Sequence, residues 1–177
     1  MENTIKAVDV NYESVKEENF IFLQLDIEKN SSVDECLEHF FEIEQLNGEN
    51  KYQYINSKEK SLLCDAEKGY KFKKIPNFLF LQLKRFTFDI TTFSLEKKNK
   101  AISFKEEMDL TKYFHNKNNN SKSKKNKDTE KEIYTLYSVL VHSGSPDNGH
   151  YYCIARDFQN KVYVKYNDTL ILKAEKK

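Results

Sequence analysis

The chain has 177 residues, of which 29 are basic and 28 acidic, for a formal net charge of +1. That length is about one domain, enough to bury roughly 70% of the unfolded chain's surface, and the charge balance excludes a global pull toward nucleic acid or anionic membrane. Only 4 Gly and 2 Pro exclude a collagen-like or Pro/Gly-rich disordered chain, while 13 Phe and 11 Tyr predict a largely aromatic core.

In chain order, Phe20–Ile27 reads as a strand, apolar on both parities. Ser32-Val-Asp-Glu35 has the spacing of a capping box, and Val33, Leu37, Phe40 and Phe41 then recur on one helical face. A helix from Val33 to about Leu46 is predicted, ending before Gly48. The polar segment Gly48–Gly69 holds the apolar pair Leu62-Leu63. Phe78–Phe88 follows, with Leu79, Leu81 and Leu83 on one parity and Phe78, Phe80, Phe86 and Phe88 on the other. Apolar on both faces, it reads as a strand central to a sheet. A hairpin turning near Thr91-Thr92 and a weak strand at Ala101–Phe104 come next.

Residues 115–130 are rich in Lys, Asn and Ser and carry no apolar side chain, which predicts a disordered insertion. Lys117, Lys122, Lys124, Lys125 and Lys127 make it basic. Without aromatics to stack bases it gives no nucleic-acid partner. Three strands close the chain, Ile133–His142, Tyr151–Arg156 and Lys161–Tyr166, forming an antiparallel meander. With no βαβ pattern, the fold class is α+β, mostly antiparallel β with one main helix near 33–46. Cys36, Cys64 and Cys153 lack paired spacing, as in a reducing compartment. The start Met-Glu-Asn-Thr-Ile-Lys lacks the pattern of a signal peptide, and no apolar stretch approaches the ~20 residues that span a bilayer. An intracellular protein, cytoplasmic or nuclear, with no membrane partner is expected.

The chemistry concentrates in the meander. His150 follows Gly149 where a glycine-containing loop enters the second strand, and Gly149 allows a close approach or an unusual backbone angle. Asn167 ends the third strand, so a hairpin of the two would make His150 and Asn167 neighbours. An amide beside an imidazole fixes its tautomer and aim, as in a nucleophile–base–orienter triad. His142, ending the first strand, would lie near the same edge. Spacing alone leaves a second reading open, in which these are polar residues at strand ends satisfied by loop backbone.

Tyr134, Leu136, Val139, His142, Gly144, Gly149-His150-Tyr151 and Tyr166-Asn167-Asp168 together resemble the His box of the ubiquitin-specific proteases. Ile75-Pro76 through Leu81-Gln-Leu83-Lys84-Arg85-Phe86 is similar to the strand preceding that box. Glu44-Gln45 through Lys51-Tyr52 and Ala66-Glu67-Lys68-Gly69 resemble the herpesvirus-associated branch. The resemblance implies a papain-like catalytic domain in which His150 is the general base, Asn167 its orienting partner and Asp168 an auxiliary polar residue. It also implies that His142, Phe86 and Tyr151 line a channel for the ubiquitin tail, Leu-Arg-Gly-Gly. A narrow aromatic slot admits two glycines and excludes most other sequences.

The family's Cys box, with the Asn or Gln that helps stabilise the oxyanion, is not found here. Cys36 opens a helix but is flanked by Asp34 and Glu35; Cys64 precedes Asp65; Cys153 alternates inside a strand. All three read as structural. Residues 1–177 therefore resemble the carboxy-terminal half of the catalytic domain, fingers and base-bearing palm, and the chain alone is expected to be inactive. Its expected partners are ubiquitin or a ubiquitinated protein and an amino-terminal half carrying the Cys. The alternatives are a catalytically inactive ubiquitin-binding module or scaffold, and an adaptor β domain without ubiquitin. The two Cys-x-x-Cys pairs of zinc-binding relatives are missing, so neither a metal nor another cofactor is expected.

Overall fold

A computed structural model describes residues 1–55, 59–114 and 131–174. The expected insertion at 115–130 lies outside the described residues. The chain begins with β1 (Glu2–Ala7), β2 (Glu13–Glu17) and β3 (Phe22–Leu25), followed by α1 (Val33–Phe40) and β4 (Glu44–Leu46). Next come β5 (Tyr52–Ile55), β6 (Ser61–Cys64), β7 (Ala66–Lys71), β8 (Phe80–Leu83), β9 (Phe86–Asp89) and β10 (Ser94–Lys97). β11 (Glu107–Asp109), β12 (Ile133–Thr135), β13 (Ser138–Gly144), β14 (Gly149–Asp157), β15 (Val162–Asn167) and β16 (Leu170–Lys173) complete it. Two four-stranded antiparallel sheets dominate, in the orders β2-β1-β7-β4 and β13-β14-β15-β16. The α+β expectation holds: among the described residues one α-helix stands with mostly antiparallel strands. Among the described residues no helix is long and apolar enough to cross a membrane.

The predicted capping signal starts α1. Ser32 Oγ accepts from Glu35 N at 3.2 Å. The Glu35 carboxylate reaches back one residue further than the usual box, accepting from Ser31 N at 2.7 Å. These bonds, led by the Ser31 backbone N–H, hold the Glu35 carboxyl below its ordinary range. The helix ends at Phe40, however, and not near Leu46. Its apolar stripe stops at Phe41, whose ring stacks on Tyr113 at 4.5 Å. Glu44–Leu46 is instead extended and satisfies its backbone on β7, with Glu44 opposite Lys68 and Leu46 opposite Ala66.

The expected single strand Phe78–Phe88 is two strands with a corner at Lys84-Arg85. Lys84 N bonds Leu25 O at 2.9 Å, and the Arg85 guanidinium donates to Lys98 O at 3.1 Å and Lys100 O at 2.7 Å. The strand is not central either. Among the described residues β8 pairs only with β3, in parallel register from Phe22↔Phe80 to Leu25↔Leu83. Leu23, Leu25, Leu81 and Leu83 face the core, whereas Phe78 and Phe80 are 61% and 62% exposed. This parallel pair, with α1 in its crossover, also departs from the expectation of no βαβ-like connection. Ala101–Phe104 forms only an isolated bridge, Ser103 with Ser32.

The core is less aromatic than the composition predicts. Leu23, Leu25, Ile27, Val33, Cys36, Leu37 and Leu110 are buried together with Phe72 and Tyr113. Most other phenylalanines lie at the rim or in solvent, including Phe88, Phe93, Phe104 and Phe158. A second small cluster, Ala7, Cys64 and Ala66, is covered by Tyr12, Tyr52 and Tyr54. Their hydroxyls favour such half-wet positions. The closing meander forms as predicted, with two changes. The chain changes sheets at Leu136-Tyr137, so that β12 pairs β11 and β13 pairs β14. A fourth strand, β16, follows Asn167.

Candidate active site

The meander register brings the predicted pair together. Cys153 lies opposite Tyr166, so Asn167 falls beside Tyr152, two residues from His150 and on the same face of β14. His150 Nε2 and Asn167 Oδ1 are 2.6 Å apart. An amide oxygen can only accept, so Nε2 carries the proton and Nδ1 keeps its lone pair. Asp168, at φ +51° in the turn after β15, places Oδ2 at 3.7 Å from the same Nε2. That distance is beyond a hydrogen bond, and the contact becomes an ion pair only when the ring is protonated.

His142 lies opposite Tyr151, so these two project from the other face of β14. Their ring centroids are 4.6 Å apart, and Phe86 stands edge-on to His142 at 5.2 Å. The three predicted channel residues thus form one aromatic cluster. Gly149 is shaped by it: a Cβ there would fall 1.8 Å from His142 Nε2. Of the two roles open to this glycine, the close approach is the one observed. Burial, and then the positive charge of Lys97, hold the His142 imidazole below its ordinary pKa. Its Nδ1 is buried without a hydrogen-bond partner among the described residues.

One contributor, Lys97, was not singled out by sequence. The Lys97 ammonium donates to His142 O at 3.1 Å and Gly144 O at 3.0 Å. Gly144 sits at φ +104°, where a Cβ would meet Asn148 O at 2.6 Å, so this glycine sets the tight return of the loop before His150. A lysine that ends a hairpin strand carries no local signal of partners so far along the chain.

None of the three cysteines serves His150. Cys36 and Cys64 are 1% and 5% exposed in the two separate cores, and burial pushes both thiols up. Cys153 is half-buried. It lies about 10 Å along β14 from His150, on the opposite face. Its Sγ is 3.2 Å from Ser138 Oγ. The arrangement can orient an imidazole and leave one nitrogen free as a base, with an aromatic cluster on the other face of β14.

A model of the ubiquitin carboxyl-terminal hydrolase family matches residues 1–177. Ubiquitin carboxyl-terminal hydrolase 15 of Saccharomyces cerevisiae is 35% identical over 179 residues, covering 100% of this chain and 14% of that protein. Ubiquitin C-terminal hydrolase 12 of Arabidopsis thaliana is 34% identical over 175 residues, covering 99% of this chain and 15% of that protein. This chain therefore spans a small part of the curated relatives it matches. Among solved structures, the SAGA Ubp8/Sgf11/Sus1/Sgf73 DUB module bound to ubiquitin aldehyde superposes with a TM-score of 0.75 at 26% identity. The match covers 99% of this chain and 37% of that one.

Proposed function

Because this chain belongs to the ubiquitin carboxyl-terminal hydrolase family, we propose that it supplies the base-bearing, carboxy-terminal part of a cysteine-type deubiquitinase catalytic domain. The observation that carries the reading is the 2.6 Å pairing of His150 Nε2 with Asn167 Oδ1. The nucleophilic thiolate comes from polypeptide outside these residues. His150 Nδ1 takes the thiol proton, and the thiolate attacks the carbonyl after ubiquitin's last glycine. The imidazolium returns the proton to the leaving lysine amine, leaving a thioester on the thiol. Water then attacks that thioester with His150 again as base, releasing ubiquitin's carboxylate and the thiol.

Asn167 keeps the ring in its working tautomer, and the negative charge of Asp168 stabilises the ring once it is protonated. Phe86, His142 and Tyr151 line the passage for the two tail glycines. The exposed Phe80 on β8, with Phe78 just before it, supports packing against the rest of the domain, as does the 37% coverage of the structural neighbour. The segments Glu44–Tyr52 and Ala66–Gly69 favour the herpesvirus-associated branch. Three free thiols favour a reducing compartment, cytoplasm or nucleus.

The chain alone should not hydrolyse a ubiquitin-carboxy-terminal fluorogenic amide, and joining it to a Cys-bearing segment of a relative should restore turnover that His150→Ala abolishes. Turnover by the isolated chain that disappears on replacing Cys36, Cys64 or Cys153 would overturn the assignment. The lack of a thiol beside His150 favours one second reading, a non-catalytic ubiquitin-binding module. That reading predicts ubiquitin-induced amide shifts in the chain but no turnover in the joined protein. No shift at millimolar ubiquitin would sink both.

A further inference from the structure

We infer that Lys97 is a positioning residue, whose ammonium clasps the β9–β10 hairpin to β13 and so holds the strand entry that presents His150. The inference rests on the reading of His150 as general base. Its two acceptors, the carbonyls of His142 and Gly144, are two residues apart on one strand and therefore face the same side of it. β13 is the edge strand of its sheet, with β14 on one side only. An edge carbonyl has no strand partner on its open side, and Lys97 serves two at once through charge-assisted bonds, part-buried at His142 O and exposed at Gly144 O.

The clasp works with a second contact from the same place. Lys97 lies directly opposite Phe86 in the β9–β10 register, and the Phe86 ring stands against His142. One cross-strand pair thus grips β13 twice, by charge at its backbone and by an aromatic edge at its side chain. The grip falls where the site begins. Gly144 pairs with Gly149 in the last rung of the β13–β14 ladder, and His150 is the next residue. The loop between is closed on itself by Ser145 Oγ accepting from Asn148 N at 3.1 Å. A displacement at Gly144 O therefore passes to Gly149 and the His150 backbone with little slack. Just past Lys97, the Arg85 guanidinium bonds the carbonyls of Lys98 and Lys100 and so anchors the end of β10 that carries the lysine.

The test uses the isotopically labelled 177-residue chain with Lys97→Met, which keeps the stem and removes the charge, and Lys97→Arg, which keeps a donor fork. In K97M, amide exchange at Gly149, His150 and Tyr151 should accelerate roughly tenfold, as expected for losing a charge-assisted bond. The His150 ring nitrogen signals should move, while exchange in β1 and β7 stays as in the parent. K97R should restore most of the protection. The proposal is overturned if exchange at those residues stays within about twofold of the parent, if the His150 ring signals do not move, or if β1 and β7 accelerate equally. The base reading is tested with Lys97 intact, by the ubiquitin titration and the joined protein, so the two failures are separate.

Discussion

An imidazole acts as a base only when one nitrogen is pinned and the other left free, and at His150 the pin is the Asn167 amide oxygen. In the joined, active protein Asn167→Ala should lower kcat/KM by about 10²-fold, while Asn167→Asp, which keeps an acceptor, should retain most activity. Steady-state kinetics on the three proteins decide it. His142 carries a different signature. Its folded pKa is depressed below the ordinary value of about 6.5, so the unfolded chain binds the proton more readily. Stability should therefore rise with pH through the ordinary histidine range and fall as pH drops through it. Urea midpoints of the parent and His142→Phe, measured from about pH 5 to about pH 8, should show this part of the rise in the parent alone. At this scale the sequence was informative where residues share a motif: His142, Gly149, His150 and Asn167 were marked by their spacing or by resemblance. Lys97 was not, because its partners are carbonyls, which any residue could supply.

At the scale of elements, what decided the outcome was whether a signal is local. The α1 cap and the β9–β10 and β14–β15 hairpins depend on neighbours in sequence, and all were legible. The end of α1 was not, since Glu44–Leu46 leaves the helix to pair with β7, far along the chain. The corner at Lys84-Arg85 was hidden for the same reason, because the carbonyls that turn it belong to Lys98 and Lys100. The β13–β14 hairpin offers a sharp test of close packing. Gly149→Ala places a methyl on the His142 ring, which Phe86 and Tyr151 confine on other sides. It should destabilise the chain by about 1–3 kcal/mol in chemical denaturation. In a His142→Ala background the same change should cost much less, and equal costs in both backgrounds would show that the ring is not the obstacle.

For the molecule as a whole, composition indicated an aromatic interior, and the structure instead centres on aliphatic residues with Phe72 and Tyr113 and leaves most other phenylalanines at the rim. Periodicity could place Phe78 and Phe80 together on one face but could not say whether anything in this chain covers that face. Leu25→Ala should therefore cost about 2–5 kcal/mol and Phe80→Ser less than about 1 kcal/mol, both read from thermal or urea unfolding. Similar costs for the two would mean that the β8 face is packed in solution. The parallel β3–β8 pair has a further consequence, for the order in which the protein assembles. Its register joins Phe22 to Phe80 across a long intervening stretch of chain, so the main core forms only after a large loop has closed. Each strand from β13 to β16 instead meets its neighbour in sequence, across short turns. During refolding, the meander's amides should gain protection before those of β3 and β8, so the histidine and its amide partner would be aligned while the remainder of the polypeptide is still searching for its register.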